Sequence, residues 1–207
     1  MRQVLFLTIL FVFGYKAHSQ THIGVEAGYT SSTARIVVNN IKQKSGYRNG
    51  FATAVLVDVP FEGKIHFTSS IGYQRTGYQA FYDSGSIKYT ENNIHFISFS
   101  AGLSLNFPVG KKSTFIIGFA PVLSTPFSGK EKSIYRNDSV SNDKLIFAFG
   151  DYGVFDLGLK GNIGFKVKNI LLDIGWFEGL TNLDTNEANL RNIRDRIFSF
   201  SIGYFFK

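Results

Sequence analysis

The stretch that decides the fold is "RIFSFSIGYFFK", residues 196–207. From Phe198 onward every second residue is large and apolar: Phe198, Phe200, Ile202, Tyr204 and Phe206. Ser199, Ser201, Gly203 and Phe205 fill the intervening places. A period of two is the signature of an extended strand with chemically distinct faces. Working back along the chain, the same period returns seven more times, over about 22–31, 49–60, 64–78, 93–107, 113–124, 150–167 and 169–180. In the fourth of these, Ile97, Phe99, Ala101, Leu103, Leu105 and Phe107 oppose Ser98, Ser100, Gly102, Ser104 and Asn106. Helical periodicity is almost absent.

The connections alternate in length. Segments 32–48, 79–92, 125–149 and 181–195 read as long polar loops, while 61–64, 108–112 and 168–169 read as tight turns. Eight strands joined long, short, long, short predict an antiparallel up-and-down β-barrel. All long loops then lie at one end, and both termini lie at the other.

The length of 207 residues suits one domain. Phe (22) and Gly (21) are abundant, Pro (4) is scarce, and mean hydropathy is near zero at +0.02. No window carries the roughly 20 apolar residues of a spanning helix. Cysteine is absent, which excludes disulfides, thiol catalysis, cysteine–zinc sites and a lipidated N-terminal cysteine. The opening "MRQVLFLTILFVFGYKAHSQ" pairs a basic Arg2 with an apolar run from Val4 to Phe13, followed by Ala17-His18-Ser19. This predicts a secretory signal peptide over 1–19, cut after Ser19, with the barrel domain over 20–207. An N-terminal anchor helix is the alternative. Removing Arg2 and Lys16 takes the formal charge from +7 to +5. The basic residues are scattered and the chain is exported, so anionic lipid headgroups or lipopolysaccharide phosphates, not nucleic acid, are the expected partners.

Alternation alone leaves two barrels. A soluble lipid carrier turns its apolar face into the lumen; a membrane barrel turns it out to lipid around a polar interior. The polar face here is rich in Gly, Ser, Ala and Asn, which suits the narrow interior of eight strands. As a soluble exterior it would lack the expected density of Lys and Glu. Closure satisfies every backbone group in hydrocarbon and leaves no edge. The reading is an eight-stranded transmembrane β-barrel.

The terminal strand itself is similar to the C-terminal signal by which outer-membrane barrels are recognised for insertion, with Ser199, Ser201, Tyr204 and Phe206 in the characteristic places. It implies the barrel-assembly machinery as a partner during insertion. Ser201 stands where glycine is commoner, and Lys207 runs one residue past the aromatic. Several strands resemble the PorT-like outer-membrane β-barrel family of Gram-negative bacteria: "GVEAGYT" at 24–30, "GFATAVLVDVPF" at 50–61, "FTSSIGYQRTGY" at 67–78 and "FDLGLKGNIGFKVKNILLDIGWFEGLTNL" at 155–183. The resemblance implies an outer-membrane location with periplasmic termini, and carries over no catalytic residues. The fourth strand lacks the acidic-x-Pro core of many members.

Alternation points Glu26, Asp58, Asp156, Lys160, Lys166 and Asp173 into the lumen. Buried charges must pair, so a structural salt-bridge network that plugs the barrel is expected; a gated ion path is the alternative. Trp176 and Tyr73 suit interfacial girdles, and Arg75, outward near the loop end, is placed to snorkel to headgroups. No cofactor is implied, since phosphate loops and zinc spacings are absent. "DTNEAN" at 184–189 lacks the glycine and terminal glutamate of a calcium loop. The leading reading is a non-enzymatic barrel that acts structurally, or engages a ligand or envelope partner through its long loops. The alternatives are a lipid A-modifying enzyme, with His95 near Ser98 and Glu91, and an accessory component of a secretion apparatus. His22 and His66 lie at the turn end, away from any such chemistry.

Overall fold

The computed structural model describes residues 21–83, 85–148, 152–185 and 191–206. The expected signal peptide, and most of "DTNEAN", lie outside them. Ten strands form one sheet: β1 (His22–Val38), β2 (Ile41–Gln43), β3 (Ser45–Glu62), β4 (Ile65–Phe81), β5 (Ile87–Pro108), β6 (Ser113–Tyr135), β7 (Val140–Lys144), β8 (Asp156–Val167), β9 (Ile170–Gly179) and β10 (Arg191–Phe205). Eight of them close a ring in the order β10-β9-β8-β6-β5-β4-β3-β1, with β1 returning to β10; β2 and β7 are attached outside it. Every pairing between these strands is antiparallel. The β1–β10 seam runs through fifteen consecutive pairs, from Gly24 opposite Phe205 to Val38 opposite Arg191, without a bulge.

The apolar face points outward. Phe99, Leu159 and Phe200 are 50%, 37% and 45% exposed. The interior is built from small groups. Gly72 lies opposite Ala54, where an added Cβ would stand 2.6 Å from the alanine methyl. Ser70 shares a 2.7 Å hydrogen bond with Ser100, and Ser98 a 2.8 Å bond with Ser124, across the inner wall. Gly63 and Gly110 turn two short hairpins at φ 57° and 88°, a region closed to most side chains.

The loop end departs from the sequence reading. Three of the four expected loops are largely strand. The ladder continues until Asn39 and Asn40, both at positive φ, turn β1 into β2. It also continues to Phe81 before β5 starts at Ile87, and to Tyr135 before β7 starts at Val140. Arg136 clamps the β4–β5 turn by donating to the carbonyls of Tyr82, Asp83 and Gly85. β6, at 23 residues, is about 75 Å long and rises about 55 Å at the usual tilt, against an apolar band about 25 Å tall. The sheet therefore stands well clear of the bilayer on this side.

The reason is an inversion of polarity along each strand. Within the band the outward residues are apolar; beyond it the inward ones are. On β5 the outward Ile97 and Phe99 give way to inward Ile94 and Phe96, 0% and 1% exposed. On β10 the outward Phe198 is followed loop-ward by outward Arg196 and Arg194 and inward Ile197 and Ile193. Ala34, Ile36, Tyr78, Ala80, Ile94, Phe96, Tyr152, Leu183 and Ile193 pack there as an enclosed core of the kind a water-soluble protein has. Polar composition alone made these extensions read as loops.

The sixth expected strand, over 150–167, starts only at Asp156. Of the described residues before it, Tyr152 and Gly153 turn inward instead. Tyr152 bridges Phe147 and Asp184, and Gly153 N–H donates to the Leu183 carbonyl. This segment lies across the loop-end core rather than in the wall.

Candidate functional site

The lumen has three levels. At the turn end Asp58, buried on β3, accepts from His66 Nδ1 at 2.8 Å; His22 Nδ1 and Lys166 Nζ lie 3.8 Å and 3.9 Å from its other oxygen. Phe205, inward on β10, closes this mouth: Lys166 Nζ sits 5.2 Å above its ring and the His22 ring meets it edge-on at 6.5 Å. In the middle is a cavity of about 90 Å³ lined by Asp58, Ser70, Ser104, Lys160, Asn162 and Asp173. It has space for a few waters and no more. Asn162 donates to Asp173 at 2.6 Å. Nearer the loops, Thr181 donates to Asp156 at 2.7 Å.

All six charges expected in the lumen face inward, but they do not form one network. Among them only Lys166 and Asp58 lie within 4.0 Å as an ion pair. Glu26 instead accepts from Ser201 at 3.3 Å. The closest partner of Asp58 is His66, which the sequence reading left out of the lumen set. Phe205 was missed as a plug, although an aromatic in the polar phase of a terminal strand is a readable signal.

Above the lumen the loop-end core encloses titratable groups. Burial pushes the Tyr78 and Tyr152 hydroxyls above the ordinary phenol range. Burial, reinforced by the neighbouring Asp156, raises the Asp195 carboxyl well above the usual carboxylate range. Beside this core opens a vestibule of about 290 Å³, lined in part by Tyr78, Glu131, Lys144, Tyr152, Asp184 and Arg191. Arg191 Nε stands 3.5 Å from Asp184 Oδ2.

Trp176, Tyr73 and Arg75, the residues expected to anchor the barrel, lie on the outer wall toward its loop end. Trp176 is 45% exposed. Tyr73 shares a 2.6 Å hydrogen bond with His95 Nδ1, and stacks with Phe51 at 5.4 Å and Phe127 at 6.2 Å. Arg75, between them on β4, donates to Asn93 at 3.4 Å. Of the residues expected to form a C-terminal signal, Tyr204 and Phe206 face outward with rings 5.7 Å apart, while Ser199 and Ser201 face the lumen. His95, Ser98 and Glu91 do not assemble. His95 faces out, Ser98 faces in and bonds Ser124, and Glu91 pairs with Arg48 at 3.2 Å. The sequence proximity that raised a lipid A-modifying site therefore places its members on opposite faces of one strand.

A family model described as "Outer membrane protein beta-barrel domain" matches residues 16–185. Among solved structures, OprG from Pseudomonas aeruginosa is similar at 11% identity, with 92% of this chain and 98% of that chain covered and a TM-score of 0.50. Neisserial surface protein A is similar at 17% identity, covering 91% and 100%, with a TM-score of 0.48. Ail of Yersinia pestis is similar at 14% identity, covering 90% and 99%, with a TM-score of 0.44. No curated protein matches the chain. Identities at this level speak to the fold alone.

Proposed function

The chain belongs to the outer membrane protein β-barrel domain family of Gram-negative envelopes, and from that premise we propose a non-enzymatic barrel that does not conduct and that presents its tall loop-end sheet to a ligand or envelope partner. In this reading residues 1–19 are a cleaved signal peptide, 20–207 form the barrel domain, both termini are periplasmic, and the loop end faces outside. Lipids of the outer membrane and the assembly machinery that reads Tyr204 and Phe206 are its other partners. A PorT-like subtype is the finer placement that the strand motifs support.

The observation that carries this reading is occlusion at both ends of the ring. Phe205 and the Asp58 cluster fill the turn end, an apolar core fills the loop end, and a void of about 90 Å³ lies between them. Purified protein in a planar bilayer tests it: no sustained current is expected, and reproducible single-channel steps would overturn it. Cross-linking on intact cells, followed by co-purification, tests the presenting role. A stoichiometric partner held through the β4–β7 extensions is expected, and a partner held only at the turn end would refute it.

A further inference from the structure

Two observations on one seam of the outer wall point to the same kind of ligand. The first is a pair of unneutralised cations. Arg35 on β1 stands directly opposite Arg194 on β10. Both face outward beyond the apolar band, Arg35 six residues past Tyr29 and Arg194 four residues past Phe198. Like charges in register on neighbouring strands oppose pairing. Two residues nearer the band, Arg196 is neutralised by Glu178 through Nε and Nη2, each at 2.8 Å. No described carboxylate lies within 4.0 Å of Arg35 or Arg194. Arg194 Nε is enclosed and without a hydrogen-bond partner, and an enclosed N–H of this kind needs an acceptor. Lys42 on β2, opposite Val37, adds a further outward cation beside Arg35.

The second observation lies below, on β1 and β10 and the neighbouring β3 and β4. An apolar hollow of about 750 Å³ opens on the lipid side between Val25, Ala27, Val55, Ile71, Ile202 and Tyr204. It exists because Ala27 and Thr53, opposite each other, are small outward residues among large ones. Along β1 the eight steps from Ala27 to Arg35 rise about 20 Å at the usual tilt, comparable with half the hydrocarbon thickness, about 15 Å, plus a headgroup layer.

We infer that the β10–β1–β2 seam binds one phosphorylated glycolipid of the outer leaflet, its phosphate bridging Arg35 and Arg194 and an acyl chain lying in the Ala27 hollow. Guanidinium groups suit a phosphate because their N–H forks match its oxygens. A lipid, rather than free phosphate, is favoured because the cation pair and the hollow share the outer face of β1 and β10, with Tyr29 and Phe200 between them. The inference rests on the reading that the loop end faces outside.

The full chain in phosphatidylcholine nanodiscs would be titrated with bis-phosphorylated lipid A, with the same lipid after phosphatase treatment, and with inorganic phosphate. Native mass spectrometry would count the retained lipid. Lipid A should be retained and the dephosphorylated form largely lost; inorganic phosphate should not compete. R35A/R194A should weaken retention roughly tenfold or more. Heat-shifted gel mobility checks that the double variant is folded, and R194Q serves if it is not. Equal retention by the variant, equal retention of dephosphorylated lipid, or displacement by inorganic phosphate would each overturn the site. Orientation is read separately. The cysteine-free chain carrying Val140→Cys should react with an impermeant maleimide on intact cells. Failure to label, with binding intact, would overturn the orientation and leave the phosphate contact standing.

Discussion

Truncating Phe96 and Phe99, three residues apart on β5, should separate the two solvents this protein inhabits. Phe96 is 1% exposed among Ile36, Tyr78, Ile94 and Ile193; Phe99 is 50% exposed on the lipid face. Phe96→Ala leaves a cavity that the stiff sheet cannot collapse, a loss of about 3–5 kcal/mol. At about 1.4 kcal/mol per tenfold, the open loop-end population rises by roughly two to three and a half powers of ten. Phe99→Ala leaves a gap that an acyl chain fills, so it adds no cavity term, and because Phe99 stays in lipid when the loop end opens, that opening should be unchanged. The assay is amide exchange and limited proteolysis of protein folded in lipid vesicles. Phe96→Ala should expose β4–β7 beyond the band while the ring keeps its protection and its heat-shifted mobility. Equal opening by both variants, or loss of the ring in Phe96→Ala, would refute the division into two cores.

Asp195 has a folded pKa raised above the ordinary carboxylate value of about 3.9, so the fold binds its proton more tightly than the unfolded chain does. The ionisation penalty is absent below that range and grows as pH rises toward the folded value. Asp195→Asn should therefore raise the urea midpoint at pH 7–8, leave it unchanged near pH 4, and flatten the profile; a loss at neutral pH would refute this. Phe205→Ala should open the turn-end mouth alone, so vesicles carrying it should stay as tight to ions as those with wild type, because the loop-end core still closes the ring; an ion leak would refute occlusion at both ends. Asp58→Ala removes the acceptor of His66 and should cost about 1.5–3 kcal/mol of stability in urea titration. Trp176 is the single tryptophan; its fluorescence should be quenched most by lipids brominated near the headgroup, and strongest quenching from chain-end bromines would contradict its place in the girdle.

The wall of the barrel was legible because hydrocarbon demands it. Phe99, Leu159 and Phe200 announce the outward face by strict alternation, and the glycines and serines between them announce the inward one. The loop end was not legible by that rule because the rule reverses there. Where a strand leaves the bilayer its apolar phase changes face, so two apolar residues fall side by side: Phe96-Ile97, Val122-Leu123, Trp176-Phe177 and Ile197-Phe198. Read as noise, these doublets end a strand; read as boundaries, they continue it into water. The lumen was half legible. Parity fixed that Asp58 and Lys166 point inward, but it says nothing about height, and height decides that His66 meets Asp58 while Glu26 meets Ser201. Phe205 breaks the polar phase, and its position at the mouth follows from that breach alone.

The unbroken seam between the first and last strands makes completion of the chain a condition for any stable product. Until residues 191–205 are delivered, β1 and β9 each present a long row of unanswered amide and carbonyl groups, an open template for whatever extended peptide is near. Prematurely terminated copies should therefore polymerise or be degraded rather than persist as smaller cylinders.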